Sequence, residues 1–235
     1  MAFAGLIALG HWQLERRVWK RGLIARVEER VHAPAIAAPA PGEWPRVDAA
    51  HDEYRNVRLV GSFLHDRETL VRATTVLGSG YWVLTPLRTS DGSMVLINRG
   101  FVPAERRERA ARAAGSPSGE LTVIGLLRMT EPGGAFLQRN DPTTDRWYSR
   151  DVQAIASARG LARVAPYFID AGAAPDRRDA HGALVGPVAG LTVTAFHDNH
   201  LVYAITWFVL AAMVGGAAAQ LVRIELRRRR DRSNL

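Results

Sequence analysis

The chain has 235 residues, enough for one sizeable domain plus anchoring segments, and no cysteine, which excludes disulfide frameworks, thiolate metal sites and cysteine nucleophiles. A mean hydropathy of −0.09 excludes a polytopic transporter, so any membrane segments are few. The net charge of +8 gathers beside apolar runs, as in a membrane protein, and does not coat the middle of the chain as it would in a nucleic-acid-binding domain.

Met1–Leu9 is apolar, but about nine residues rise only about 14 Å, against a hydrocarbon core of about 30 Å. We read residues 1–12 as a partial N-terminal transmembrane segment. Arg16, Arg17, Lys20 and Arg21 follow the apolar run, the reverse of a signal peptide. Residues 13–45 read as a juxtamembrane helix and a linker. Leu23, Ile24, Val27 and Val31 fall near helical spacing within Trp19–Val31, and Pro34, Pro39, Pro41 and Pro45 make the linker extended.

Residues 46–198 read as a β-rich domain. Asn56–Phe63 and Leu121–Leu127 alternate β-branched and polar residues, the period of a half-buried strand. Tyr81–Leu87 and Ser93–Asn98 flank Asp91-Gly92, a hairpin signal. Pro166–Asp170 and Leu191–Phe196 read as further short strands, Ala104–Ala114 and Asp151–Gly160 as helices. Asp66, Arg67 and Glu68 read as a solvated strand edge. The expected fold is α+β: a mostly antiparallel β extracytoplasmic domain flanked by two transmembrane helices, the first of them truncated.

From Leu201 to Val222 there is no charged residue, and this run spans about 33 Å as a helix. Residues 199–222 are therefore the C-terminal transmembrane helix, with Tyr203, Trp207 and Phe208 near its outer end. Ala212 with Gly216, and Gly215 with Ala219, offer small-residue surfaces for helix packing. Residues 223–235 carry six arginines against Glu225 and Asp231, a basic tail that belongs in the cytoplasm. With two spans the middle domain lies outside. Arg16, Arg17, Lys20 and Arg21 then fall on the outer side too, against the same tendency.

No Gly-rich phosphate loop, HExxH or GxSxG motif occurs, so no enzyme is expected. The most informative local cluster is His197-Asp198-Asn199-His200, at the start of the C-terminal helix. Asp198 or Asn199 can cap that helix. His200 then sits in the first turn, where the helix dipole favours an uncharged imidazole, and an uncharged imidazole can ligate iron. Helical spacing places His200, Tyr203, Ala204 and Trp207 on one face. The other reading of His200 is an interfacial histidine hydrogen-bonded to the domain.

Four blocks of the chain resemble the surfeit-locus-one family of cytochrome c oxidase assembly factors. The first is Leu9-Gly10-His11-Trp12-Gln13-Leu14 with Arg16, Trp19 and Lys20. The second runs from Gly61-Ser62-Phe63 through Gly80-Tyr81-Trp82, Thr85-Pro86-Leu87 and Asp91-Gly92 to Leu96-Ile97-Asn98-Arg99-Gly100-Phe101-Val102-Pro103. The third holds Gly125–Arg128, Asn140-Asp141-Pro142, Trp147-Tyr148 and Asp151. The fourth is Asn199-His200-Leu201, Tyr203-Ala204, Thr206 and Trp207. The resemblance implies a domain on the outer face of a bacterial cell (inner) membrane, or of the mitochondrial inner membrane in a eukaryote, bracketed by two transmembrane helices. It implies as partners the core subunit of cytochrome c oxidase, other assembly factors and membrane lipid, and no nucleic acid. It implies haem a as cofactor, held stably or in passing, with His200 as the residue matching the suggested ligand of the haem iron. Trp12, Tyr203 and Trp207 would then line the macrocycle, Arg16 or Lys20 would meet the propionates, and His11 is a conceivable second axial contact. A cofactor-free scaffold that holds an oxidase subunit during assembly is the competing reading, and a membrane-bound haem-modifying enzyme a third.

Overall fold

The computed structural model describes residues 2–135, 137–173, 186–193 and 199–233. In chain order the elements are helix α1 (Ala2–His32), strand β1 (Ile36–Ala37), helix α2 (Ala49–Asp52), strands β2 (Asn56–Phe63), β3 (Thr69–Thr75), β4 (Gly78–Arg88), β5 (Met94–Pro103), β6 (Glu120–Met129), β7 (Gly134–Ala135) and β8 (Gln138–Arg139), helix α3 (Val152–Ala158), strand β9 (Val164–Ala171) and helix α4 (His200–Ser233). The chain is α+β, a β-rich domain with one apolar C-terminal helix. It divides into two compact units: Val27–Val193, and Met1–Arg26 with Thr194–Leu235, the unit that holds α4 and most of α1.

Seven strands form one sheet in the order β1-β2-β6-β9-β5-β4-β3. Ser62 and Phe63 of β2 also pair with Arg88 and Leu87 of β4, which bends β2-β6-β9-β5-β4 into a partly open five-stranded barrel. Counted along the chain, these strands follow the order 1-2-3-5-4. The third and fifth, β5 and β9, run parallel, which is the Greek-key topology of an OB-fold. The sheet is mostly antiparallel, as expected, with parallel pairings of β1 with β2 and of β5 with β9. β6 takes the antiparallel place between β2 and β9, so β9 meets β5 running in the same direction.

Period-two alternation sorts the side chains into two layers. Val95, Ile97, Tyr167, Ile169, Val57, Leu87 and Leu127 fill the barrel. Leu96 and Phe168, one residue out of step, face the other way and pack with Leu84, Val71, Trp147 and Ile155 of α3. Asp151 caps α3 by accepting from the Ala154 amide at 3.1 Å, as an N-cap carboxylate should. The Ala/Pro-rich stretch expected as a spacer lies on the barrel. β1 pairs with β2, Trp44 packs on the inner core, and the Pro39 carbonyl accepts from Trp44 Nε1 and from the Tyr167 hydroxyl at 3.0 and 2.8 Å. Burial of Tyr167 pushes its phenol above the ordinary range.

Three local expectations change. Ala104–Ala114 is two short 3₁₀ segments, Ala104–Arg106 and Arg109–Gly115, with Arg112 out of helical conformation. Arg112 turns inward to make a two-bond pair with Glu68, its Nη1 and Nη2 donating at 2.9 and 2.6 Å. Glu68 is thus half of a buried ion pair, where a solvated edge was expected. Leu191–Val193 forms no strand, and Thr192 instead donates its hydroxyl to Asp170 at 2.9 Å. The rest of that expected strand, like His197 and Asp198, lies outside the described residues.

Asp170, 3% exposed, accepts from Asn98 Nδ2 at 2.7 Å, Arg128 Nη1 at 3.0 Å and Arg150 Nη1 at 3.1 Å as well as from Thr192. Arg128 also donates to Glu53, and Arg150 to Glu131. A buried charge survives only when paired and hydrogen-bonded like this. Burial would raise the Glu131 carboxyl, but the hydrogen bonds and charge of Arg150, with Arg128, outweigh it and hold the group below its ordinary value. Glu53 carries the network outward, because its carbonyl accepts from Arg30 Nη1 at 3.1 Å.

Candidate functional site

α4 begins at His200, with the Asn199 carbonyl accepting from the Tyr203 amide at 3.3 Å. His200 Nδ1 lies 2.7 Å from Gln13 Oε1 of α1. An amide oxygen only accepts, so Nδ1 donates, and in the uncharged ring the lone pair is then on Nε2. A carbonyl or carboxylate oriented on one ring nitrogen is how proteins aim a ligating histidine's other nitrogen.

Within this helical unit α1 and α4 pack antiparallel. A Cβ on Gly10 would lie 2.6 Å from the Phe208 ring, and one on Gly215 would lie 3.2 Å from Phe3. Ala204 and Ala211 are fully buried in the seam, one heptad apart on one face of α4. The small residues that let the helices approach are therefore Gly10, Ala204, Ala211 and Gly215. Ala212, Gly216 and Ala219, where sequence spacing pointed, are exposed apart from their neighbour Gly215. The segment read as residues 1–12 and the helix read as Trp19–Val31 belong to one continuous α1.

The remaining residues singled out by sequence fall around this seam. Trp207 is half-buried, while Trp12 and Tyr203 are exposed. Arg16 lies over the Trp19 ring, 4.0 Å from its centroid. His11 Nε2 sits 3.3 Å from Glu15 on the same helix. The structure brings His200 to Gln13, and His11 to Glu15. Gln13 stands in the first block of resemblance, and its sequence context assigns it no role. It is 187 residues from its partner, and no local pattern announces that pairing. Among the described residues no group of three or more His, Asp or Glu side chains is placed to hold a metal ion; a haem iron needs only one or two axial donors from the protein.

The blocks of resemblance now have positions. The first and fourth meet at Gln13–His200, and Gly10 of the first packs against Phe208, just beyond the fourth. The second and third frame the barrel. Asn98 Oδ1 accepts from the Gly100 amide at 3.1 Å while its Nδ2 reaches Asp170. Asn140 Oδ1 accepts from the amides of Tyr148 and Ser149. Gly100, with φ +122°, lets the Val188 carbonyl approach to 2.2 Å of where a Cβ would stand.

Fold and site together define a class: a barrel domain joined to a helix pair, one of whose helices, among the described residues, is long and apolar enough to cross a membrane. The chain belongs to the SURF1 family, whose model matches residues 1–212. It is 36% identical to Surfeit locus protein 1 of Mus musculus over 89% of this chain and 69% of that protein. The human protein of that name is 34% identical over 87% and 69%. A SURF1-like protein of Monosiga brevicollis is 36% identical over 87% and 78%.

Proposed function

We propose that this protein is a membrane-anchored assembly factor for cytochrome c oxidase, presenting haem a to the oxidase core subunit. α1 and α4 both lie in the bilayer, the barrel stands on the outer face, and the arginines after Val222 remain in the cytoplasm. The membrane is the bacterial cell membrane, or the mitochondrial inner membrane in a eukaryote. The observation that carries this reading is the hydrogen bond from His200 to Gln13, which joins the two blocks that flank the barrel in sequence and sets the tautomer an iron ligand needs. Haem a is cargo here, held by His200 Nε2. Trp12, Tyr203 and Trp207 supply aromatic surface to the macrocycle, and Arg16 supplies a cation to a propionate. A carrier must release what it holds, so single axial ligation suits the role. On this reading the chain catalyses no reaction.

The test is the absorption spectrum of full-length protein purified from cells that make haem a. His200→Ala should lose tenfold or more of the bound haem and shift the Soret band of the remainder. Gln13→Leu should lose part of it. Unchanged haem content and band position in His200→Ala would refute the ligand assignment. A second reading is a cofactor-free scaffold. It is favoured by the outward faces of α4, where Val202, Ile205, Val209 and Met213 are exposed and could pack on a partner's helices. Haem-free protein that still co-purifies with the oxidase core subunit would select it.

A further inference from the structure

β3 and β4 continue as a two-stranded ribbon beyond the barrel. The pairing of β4 with β5 starts at Gly80–Pro103, whereas β3 pairs with β4 on through Ala73–Gly80 and Thr74–Ser79 to Thr75–Gly78. At about 3.4 Å per residue the ribbon projects roughly 10 Å. It turns at Val76 and Leu77, and Gly78 follows with φ +102°.

Turn tips are normally polar. Here Val76 is 93% exposed and Leu77 51%, and no charged residue occurs from Ala73 through Leu87. The ribbon's base is different. Arg107 lies over the Tyr81 ring at 5.6 Å, and Arg72 over the Tyr148 ring at 5.6 Å. Arg106 and Arg109 lie to either side of Arg107, alternating with Glu105 and Glu108, so the exposed cations at the aromatic rings are Arg72 and Arg107. An apolar tip above a collar of tyrosine and arginine matches the layering of a bilayer surface, where acyl chains give way to headgroup phosphates.

We propose that the β3–β4 tip dips into the bilayer interface, with Val76 and Leu77 at the level of the acyl chains and Arg72 and Arg107 at anionic lipid phosphates. The proposal commits to lipid over a protein partner on charge complementarity: Arg72, Arg106, Arg107 and Arg109 outweigh Glu105 and Glu108 at the ribbon's base, and an anionic leaflet attracts such an excess. It rests on the membrane reading of α4, which keeps the barrel beside a bilayer.

The absence of cysteine makes the test direct. Single variants Val76→Cys, Val60→Cys on the exposed barrel wall and Val214→Cys in α4 carry an NBD fluorophore, in full-length protein reconstituted into phosphatidylcholine vesicles with and without 30% phosphatidylglycerol. The expected result is blue-shifted emission and quenching by shallow nitroxide lipids at position 76, at least twofold stronger with the anionic lipid, while position 60 stays water-like. Arg72→Gln with Arg107→Gln should remove the dependence on anionic lipid. If the probe at 214 is in lipid but that at 76 stays water-like, the ribbon proposal is overturned and the membrane reading stands. If 76 shifts only when oxidase core subunit is added, the tip is a protein contact and the proposal is likewise overturned. A water-like probe at 214 would overturn both.

Discussion

Individual charges in the barrel are placed so that burial is offset by pairing, and that makes stability depend on pH in a definite direction. Glu131 is held below its ordinary value by Arg150 and Arg128 against the opposing effect of burial. On the surface Asp91 is pulled down to about 2 by hydrogen bonds from Thr89 and Ser93, and Asp141 is lowered by Thr143, Thr144 and Arg146. For a lowered carboxyl the unfolded chain binds the proton first. Its stabilisation is complete above the unfolded value, about 4 for Asp and Glu, and is lost as pH falls through the folded value. The urea midpoint of the barrel, followed by tryptophan fluorescence, should stay level from pH 7 to about pH 5 and then fall steadily. Glu131→Gln should start lower at neutral pH and fall less steeply in acid. An equally steep acid limb in the variant would show that Glu131 does not contribute to it.

Elements differ in how far their residues announced them. β2 coincides with its expected range, because Asn56–Phe63 alternates along an antiparallel strand with one face in the core. β4, β5, β6 and β9 grow by a few residues each. β3 was not foreseen: the charged run Asp66–Glu68 hides its start, and Thr69–Thr75 gains its order from pairing with β4. The Ala104–Gly115 stretch is rich in helix formers, yet one inward arginine breaks it, a tertiary pairing overriding propensity. Parallel pairing of β5 with β9, and the meeting of Gln13 with His200, link residues far apart in the chain and leave no local periodicity. The strap at 186–193 is a further case. Phe101 and Val188 exchange amide–carbonyl bonds at 2.9 and 2.8 Å, made possible by Gly100. Gly100→Ala would combine a positive φ with a collision against the Val188 carbonyl, costing about 1–3 kcal/mol. Hydrogen exchange should quicken at the Phe101 and Val188 amides while Ile97 and Ile169, inside the barrel, keep most of their protection. Unchanged exchange at Val188 would mean that the strap is held elsewhere.

For the molecule as a whole the charges at the two flanks pull in opposite directions on which side of the membrane holds the barrel. α4 extends past its apolar run through Arg227–Arg230 to Ser233, so the basic tail is helical and continuous with the span. Arg16, Arg17, Lys20 and Arg21 sit on α1, on the barrel side of its apolar run. Carrying the tail across a bilayer would move a net charge of roughly +4 against the positive-inside tendency, whereas the α1 stretch carries roughly +3. The tail is the denser signal and directly abuts a membrane-length helix, so the barrel is expected outside. In intact cells a membrane-impermeant maleimide should label Val60→Cys, 45% exposed on the barrel wall, and spare Leu226→Cys until the membrane is opened. Replacing Arg227–Arg230 with glutamine should then give a mixed population in which part of the Leu226→Cys protein labels from outside. Labelling of Leu226→Cys in intact cells with the native arginines present would invert the topology. It would also place His200 at the cytoplasmic boundary, where haem would have to be collected and delivered from the inner face.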